Sequence, residues 1–598
     1  MSDDARAAIT LTFLPSGKRT EVPCGTTLID AALRLGLEIE SLCGGAGLCG
    51  RCRVQLIAGS LPVTPADREN LTAAELAQGF RLACAAQPDA DCTIEIPVPA
   101  AQGEIVSAGA GREVPLDPAM RRVPLRLHPP TLEQGPSDLE VLMTALPAGT
   151  GMPPLSLLQR LPRLLRDGGW RGDAILLEGR LIDFQIARQP LCGLAIDLGT
   201  TTVVAKLIDL ESGQVLSTAA GLNRQRRYGE DVIARVGHAN AHGPAELQGL
   251  IVSQLNEMVD ELTAEAGITR DSIFTAVVAG NTVMEHLLLG LPPRHLAEMP
   301  YVPVIREFPP VAAREIGLRL HPEAQLTLMP VLGKFVGGDT AAVLLTLAGR
   351  LDETWLAVDI GTNGEILLCH RGRIWTTSAA AGPAFEGAHI GVGMRAAAGA
   401  IERVWWRGDH LEVRVIGGGK ASGLCGSGLI DAIAALLEAG ALDASGRLAA
   451  GHPLVELLPA AGTLPDQLAA RLAPGVLLTQ RDIRELQLAN AAIAAAIELL
   501  LQAAGLRAAD LEHLFLAGAF GQYLSPQAAL RIGLLPPVAP EIIKFIGNAA
   551  CRGAEMGVVN SGERRQIAAL AGEVEYVEVA AGADFQECFA EKIRFGRG

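Results

Sequence analysis

Three cysteines stand close together in Ser41-Leu-Cys43-Gly-Gly-Ala-Gly-Leu-Cys49-Gly-Arg-Cys52, a C-x5-C-x2-C run, and Cys84 follows after 31 residues. Three thiolates from one glycine-rich loop plus a distant fourth form the donor set that holds a [2Fe–2S] cluster. The plant-type spacing is C-x4-C-x2-C…C, and the loop here is one residue larger. Glycines in such a loop let backbone N–H groups approach the cluster sulfurs, where hydrogen bonds help set the potential. Structural zinc is the rival reading, but zinc ribbons supply paired C-x2-C knuckles and Cys84 has no such mate. Gly45-x-Gly47-x-x-Gly50 matches the dinucleotide fingerprint in letters only: it is interleaved with the cysteines and lacks a βαβ context. Cys24 and Cys92 fall outside the pattern and are expected as small core residues.

A second chemistry is written twice. Leu194-Ala-Ile-Asp197-Leu-Gly199-Thr200-Thr201-Thr202-Val-Val204 reads as strand, acidic turn and strand, and the text recurs as Leu356-Ala-Val-Asp359-Ile-Gly361-Thr362-Asn363-Gly364-Glu365-Ile366. The two aspartates are 162 residues apart, a spacing that suits a duplicated lobe. Each turn offers a glycine for close backbone approach and hydroxyl or amide groups for phosphate oxygens. Each also places an Asp at a strand end, where it can hold Mg²⁺ through water. One such turn alone would be an ordinary β-turn; two in matched contexts point to a nucleotide. No Walker A loop competes, because Gly417-Gly-Gly-Lys420 is followed by Ala421 where Ser or Thr is required.

The elements that must position these residues follow from pattern. Ile9–Phe13 alternates, Pro15-Ser-Gly17 turns, and Lys18–Val22 returns as a hairpin partner; Thr26-Thr27 can cap a helix over Leu28–Leu35 that Gly36 ends; Asp91–Pro97 holds a closing strand. Residues 1–98 therefore form one unit. The stretch 99–122 is rich in Ala, Gly and Pro without a sustained period and reads as a linker. Residues 123–190 read as a small middle α/β module, with apolar runs at Leu139–Leu146 and Ala174–Leu177. From 191 to 598, strands alternate with long helical patterns, which predicts one large α/β region. In it, Thr479-Gln-Arg-Asp482 resembles a helix cap, Ile483, Leu486, Ile493, Ile497 and Leu500 keep a helical period, and Gly505 can stop the helix.

Composition narrows the classes further. The 598 residues are 49% apolar but only 4% aromatic, so the cores must be built mainly from Ala, Leu, Val and Ile. A net charge of −16 counts against a nucleic-acid surface, since that affinity rests on Lys and Arg neutralising phosphates. The opening MSDDARAAITLTF shows no basic stretch followed by an apolar one, and no uninterrupted apolar run is long enough to span a bilayer, so neither a secretory leader nor a membrane partner is expected. Eleven cysteines in so long a chain are too few for a disulfide scaffold and are expected reduced or metal-bound, in the cytoplasm.

These motifs carry a resemblance. Residues 1–98 resemble a [2Fe–2S] ferredoxin domain of the β-grasp kind. The paired turns resemble the phosphate turns of the superfamily of actin, the heat-shock chaperone ATPases and the sugar kinases, in which two lobes close on ATP·Mg; Leu514-Phe-Leu-Ala-Gly518-Ala-Phe-Gly521 looks like its adenosine motif. Together they resemble the reductive activators of corrinoid proteins over essentially the whole chain. Val278–Met284, Val336–Ala341, Gly382–Gly387, Gly423–Asp431 and Gln480–Gln487 are further family-like strings without assigned roles. Two strings depart from the family form: Asn223–Asp231 is unusually rich in arginine and reads as a solvated turn, and Gly547–Gly553 carries Cys551 where a small residue is expected. Cys425 is expected as a buried small residue.

The resemblance implies a multidomain α/β protein: a β-grasp ferredoxin domain, a small middle domain and a large duplicated actin-like ATPase. It implies that an electron from the [2Fe–2S] cluster of Cys43, Cys49, Cys52 and Cys84 returns an inactive Co(II) corrinoid protein to Co(I) in a methyltransferase system. Asp197 and Asp359 would organise Mg²⁺ and water, Gly199, Thr200, Thr201, Gly361, Thr362 and Asn363 would hold ATP phosphates, and Gly518 and Gly521 would serve the adenosine. An unidentified low-potential donor would reload the cluster, and a homodimer is a family-based expectation. The rival readings are an activator of a radical dehydratase or aryl-CoA reductase, a small-molecule kinase fused to a redox sensor, and an actin-like regulatory ATPase with a redox domain. The first of these is disfavoured because its relatives bridge a [4Fe–4S] cluster between subunits and have no plant-type ferredoxin domain.

Overall fold

The computed structural model describes residues 8–37, 39, 47, 50, 52–97, 107–132, 135–229, 231–361, 363–387, 389–459, 467–518, 523–579 and 583–596. Cys43, Cys49, Thr362 and Gly521 lie outside the described residues.

The amino-terminal unit is a five-stranded mixed sheet. Ala8–Leu14 pairs antiparallel with Lys18–Pro23, as the alternation predicts, and parallel with the closing strand Cys92–Glu95; Arg53–Ala58 and Phe80–Leu82 complete the sheet. Leu11 and Phe13 point inward and are fully buried against Leu28, Ala31 and Ala32 of helix Leu28–Arg34. Thr27 caps that helix by accepting from the Asp30 N–H, and Gly36 follows it at φ 66°.

The Ala/Gly/Pro-rich stretch read as a linker over 99–122 is no free tether in its described part. The Ala110 N–H donates to Ile546 O, Asn548 N–H to Ala108 O and Asp117 N–H to Val559 O, while Arg112 pairs with Glu563. A side chain at Gly109 would meet Asn548 O at 2.1 Å, so the glycine there permits close backbone contact as well as a turn. The strand Met120–Arg126 then crosses the boundary expected at 122. It joins Arg171–Leu177 and Arg180–Gln185 in a three-stranded antiparallel sheet. Period-two alternation gives this sheet two apolar faces. Ala174, Leu176 and Phe184 pack on Leu157, Leu161 and Leu165 of helix Leu155–Asp167, whereas Ile175, Leu177 and Ile182 join the core of the next region.

That region contains the duplication. Cys192–Leu198, Thr202–Asp209 and Val215–Leu222 form an antiparallel meander, and Ile273–Gly280 then pairs parallel with the first strand. The second lobe repeats this with Thr354–Ile360, Gly364–His370, Arg373–Ala379 and the parallel strand His513–Ala517. Each meander belongs to a six-stranded sheet, extended by Gln325–Leu328 in one lobe and Ile543–Gly547 in the other. The helix predicted from Thr479 spans Gln480–Ala503. Thr479 and Asp482 form a reciprocal capping box, and Ile483, Leu486, Ile493, Ile497 and Leu500 are all buried. The most apolar 18-residue window of this helix is 72% buried, as in a core helix. Gly417, Gly418 and Gly419 form an exposed left-handed turn after strand Leu411–Val415.

Candidate functional site

Two of the four expected cluster cysteines are described, and they converge. Cys52 precedes strand Arg53–Ala58 and Cys84 follows Phe80–Leu82; the antiparallel pairing of these strands brings their Sγ atoms to 3.2 Å. The Ala83 N–H donates to Cys52 O at 2.7 Å, which fixes the two backbones side by side. Two points of the glycine-rich loop are tied down as well. Asn70 Nδ2 donates to Gly47 O, Arg53 Nε donates to Gly50 O, and both glycines have positive φ. Buried Asp67 secures the other side by accepting from the Leu82 N–H at 2.7 Å. Two thiols brought together from separate strands beside the anchored Gly47 and Gly50 fit the donor set of a [2Fe–2S] cluster. Cys92 is a core residue, its thiol pushed up by burial, and Cys24 is half-buried beside Pro88.

The repeated turns face one another across the two lobes. Asp197 and Asp359 occupy the same penultimate place in their first strands. Asp197 Oδ2 accepts from Asn548 Nδ2 at 2.7 Å. Around it, Asn281 Nδ2 donates to Thr200 Oγ1 at 2.8 Å, Asn223 Nδ2 donates to Gly199 O at 2.8 Å, and fully buried Arg235 donates to Thr200 O. The Thr201 hydroxyl donates across the cleft to Glu386 Oε2 of the second lobe at 3.0 Å. In the second turn the Gly361 N–H donates to Asn363 O at 3.0 Å, and the Asn363 side chain bonds Glu365. Gly518 follows the parallel strand directly, beside Asp359, at φ 80°. A side chain there would stand 2.3 Å from Asp359 Oδ1, so only glycine fits.

Five carboxyl groups gather at this point. Desolvation lifts Asp197 to about 7, opposed by its Asn548 bond and reinforced by the charge of Asp339. Asp359 is also at about 7, through desolvation first and then the charges of Asp339 and Asp197. Asp339 rises to about 6 by desolvation, although bonds from Thr340 oppose the shift. Glu285 and Glu365 lie well above the usual glutamate range, burial leading and Asp339 next. Among the described residues no Lys or Arg forms an ion pair with any of the five. Such a pocket is short of positive charge, and hard carboxylate oxygens suit a divalent cation such as Mg²⁺.

Sequence reasoning did not assign Asp339, Glu285, Glu365, Asn548 or Glu386 to this site. Asp339 opens helix Gly338–Leu347, Glu285 sits in helix Thr282–Leu288, and Asn548 caps helix Ala549–Val559. Except for Glu285, they lie in strings already quoted, each at a strand-to-helix or turn junction, which is the local signal available. The arginine-rich turn has exposed Arg224 between buried Asn223 and Gln225, so it is solvated on one side only. Cys551 and Cys425 are buried small residues, as expected, and burial pushes the Cys551 thiol far up.

Along its length the chain is 32% identical, over 591 residues, to the corrinoid activation enzyme RamQ of Eubacterium limosum, a match covering 95% of this chain and 96% of the relative. The chain belongs to the reductive activators of corrinoid proteins. Family models agree region by region: a 2Fe-2S iron-sulfur cluster binding domain matches 11–89, the RACo linker region 109–187, the RACo middle region 192–351 and the C-terminal domain of RACo, the ASKHA domain, 353–597. A Co(II) methylated amine-specific corrinoid protein reductase of Methanosarcina barkeri is 29% identical over 392 residues, covering 60% of this chain and 68% of that protein. Among solved structures, a reductive activator for a corrinoid, iron-sulfur protein aligns with TM-score 0.73 and 32% identity over 98% of both chains. This activator is therefore a mixed α/β protein with a [2Fe–2S] ferredoxin domain and an actin-like ATPase domain.

Proposed function

We propose that this activator restores an inactive Co(II) corrinoid protein of a methyltransferase system to Co(I) by ATP-dependent transfer of one electron. The observation that carries the reading is the presence, in one chain similar from end to end to a corrinoid activation enzyme, of converging Cys52 and Cys84 thiols and an acid-lined cleft between duplicated lobes. The cluster supplies one-electron chemistry when bound. Cys43, Cys49, Cys52 and Cys84 would hold it, with Arg53, Asn70 and Asp67 bracing the backbone at Gly50, Gly47 and Leu82.

The cleft residues handle the nucleotide. Asp197 and Asp359 gather the cation and its water. Gly199, Thr200 and Thr201 from one lobe, with Gly361, Thr362 and Asn363 from the other, take the phosphates, and Gly518 with Gly521 leaves room beside the adenosine. Because the two turns belong to different lobes, one nucleotide bound by both draws the lobes together. Reduction of Co(II) corrinoid is expected to be uphill, and for one electron each ~59 mV of deficit costs tenfold in equilibrium constant. A ligand shifts an equilibrium only by its differential affinity for the two states, so lobe closure must favour the docked partner. The reading extends to a low-potential electron donor, a cytoplasmic setting that keeps the thiolates reduced, and a homodimer.

The test is anaerobic incubation with a Co(II) corrinoid protein, a chemical reductant and Mg·ATP. The Co(I) absorption band grows in with ATP present. A band that grows equally without ATP contradicts the proposal.

A further inference from the structure

Three first-lobe side chains support the first phosphate turn, and one of them holds more than backbone. Asn223 and Arg235 donate to the carbonyls of Gly199 and Thr200, whereas Asn281 Nδ2 donates to the side-chain oxygen, Thr200 Oγ1, at 2.8 Å. Asn281 is buried and directly follows the parallel strand Ile273–Gly280. Its other amide atom is committed as well: Oδ1 accepts from the Met284 N–H at 3.0 Å and so caps helix Thr282–Leu288. A flipped amide would set its NH₂ group against the Met284 N–H, so it is the NH₂ group that faces Thr200. The backbone is fixed too. A side chain on Gly337, two residues before Asp339, would stand 2.3 Å from Thr282 N and 2.6 Å from Asn281 Cα, so the loop bearing that acid is pressed against the cap.

A hydroxyl has one proton to donate and two lone pairs with which to accept. Asn281 fills an accepting position on Thr200 Oγ1, which leaves the proton of that oxygen for another partner. Among the described residues nothing accepts it. The neighbouring hydroxyl is in the opposite condition, since Thr201 donates its proton to Glu386. Ionised phosphate oxygens only accept. Thr200 is therefore the hydroxyl of this turn that can donate to a phosphate without first giving up a bond to another side chain.

Resting on the nucleotide reading above, we propose that Asn281 is a positioning residue for the nucleotide, which sets the Thr200 hydroxyl as a standing donor to a phosphate oxygen. It acts through Thr200 and touches no phosphate itself. Because the same side chain caps the helix that carries Glu285, it also ties the phosphate turn to a second element of the acidic pocket. The donor is thus oriented before the nucleotide arrives, and binding does not have to supply that ordering.

The experiment is a double-mutant cycle on the full chain, read as Mg·ATP affinity by calorimetry. Asn281→Ser keeps a good capping residue, but its side chain is too short to reach Thr200. A hydrogen bond to a charged group contributes roughly tenfold or more to an equilibrium constant, so the Kd of Asn281→Ser rises about tenfold. Thr200→Val raises it by a similar factor, and adding Asn281→Ser to Thr200→Val changes it by less than about twofold. Asn281→Asp keeps both the size and the cap, yet it can only accept and draws the Thr200 proton to itself. Its Kd rises at least as far as that of Asn281→Ser, and rises less in the Thr200→Val background, where only its charge is left to act. An Asn281→Ser chain that binds Mg·ATP within about twofold of wild type overturns the proposal. So does a loss of equal size in the wild-type and Thr200→Val backgrounds, because the residue then acts through the fold of the lobe. If Asn281→Ser does not fold, Asn281→Asp decides the matter in the same two backgrounds, and equal losses overturn the proposal. A Thr200→Val chain of undiminished affinity, or a wild-type chain that binds no ATP, overturns the nucleotide reading itself, and this inference with it.

Discussion

At Asp197 and Asp359 the account turns on charge. Both carboxyls rise from an ordinary value of 3.8 to about 7 when no cation is present, so between roughly pH 4 and 7 the folded chain holds protons that the unfolded chain has lost. Stability linked to these groups is therefore full at low pH and is lost as pH climbs through about 7. Thermal melts of the nucleotide-free chain should show Asp359→Asn more stable than wild type at pH 7.5, with the margin narrowing as pH falls and gone below about pH 4, and Mg·ATP should remove the wild-type deficit. A variant equally stabilised at both pH values would separate the carboxyl from this linkage. The same Asp359→Asn change should leave the iron–sulfur absorption intact and lower ATP-dependent corrinoid reduction at least 100-fold; undiminished reduction would refute the assignment of the second turn. Gly518→Ala tests the neighbouring contact. Its methyl group would stand 2.3 Å from Asp359 Oδ1 at a positive φ, so Mg·ATP affinity should fall at least tenfold, as measured by calorimetry, with the cluster spectrum unchanged.

Elements explain why some of this was readable in sequence and some was not. The strand–Asp–x–Gly–Thr text specifies its own geometry: the strand ends one residue past the acid, the glycine turns, and the next strand pairs back in register, Val204 opposite Asp197 and Glu365 opposite Asp359. Local text likewise marks the helix from Thr479, whose cap and apolar period lie within one segment. Replacing Thr479 with Ala removes the capping box, and a loss of about 1 kcal/mol in denaturant titration is expected. Asp339 and Asn548 carry no such marking. Asp339 opens a helix 142 residues after Asp197 and Asn548 caps one 351 residues away, so their convergence depends on how parallel strands are ordered in the sheets. The segment at 107–119 was misleading for a related reason: glycine and alanine mark both loose chain and backbone packed closely on backbone, and only the contact with 546–548 decides between them.

For the molecule as a whole, the redox unit and the nucleotide unit have separate cores. The sheet of residues 8–95 closes on its own helix, and the duplicated lobes close on theirs. Cys49→Ser should accordingly abolish the visible cluster spectrum while Mg·ATP affinity stays within about twofold of wild type; loss of both together would show that the units fold as one. Coupling between them is then a matter of docking the corrinoid partner under control of the nucleotide. The most direct measurement is a single-turnover electron paramagnetic resonance experiment. Pre-reduced activator, freed of excess reductant, is mixed with a Co(II) corrinoid protein. With Mg·ATP, one Co(II) signal should vanish for each cluster oxidised, and without nucleotide both should persist. Loss of the Co(II) signal without nucleotide, or with the Cys49→Ser chain, would contradict the account.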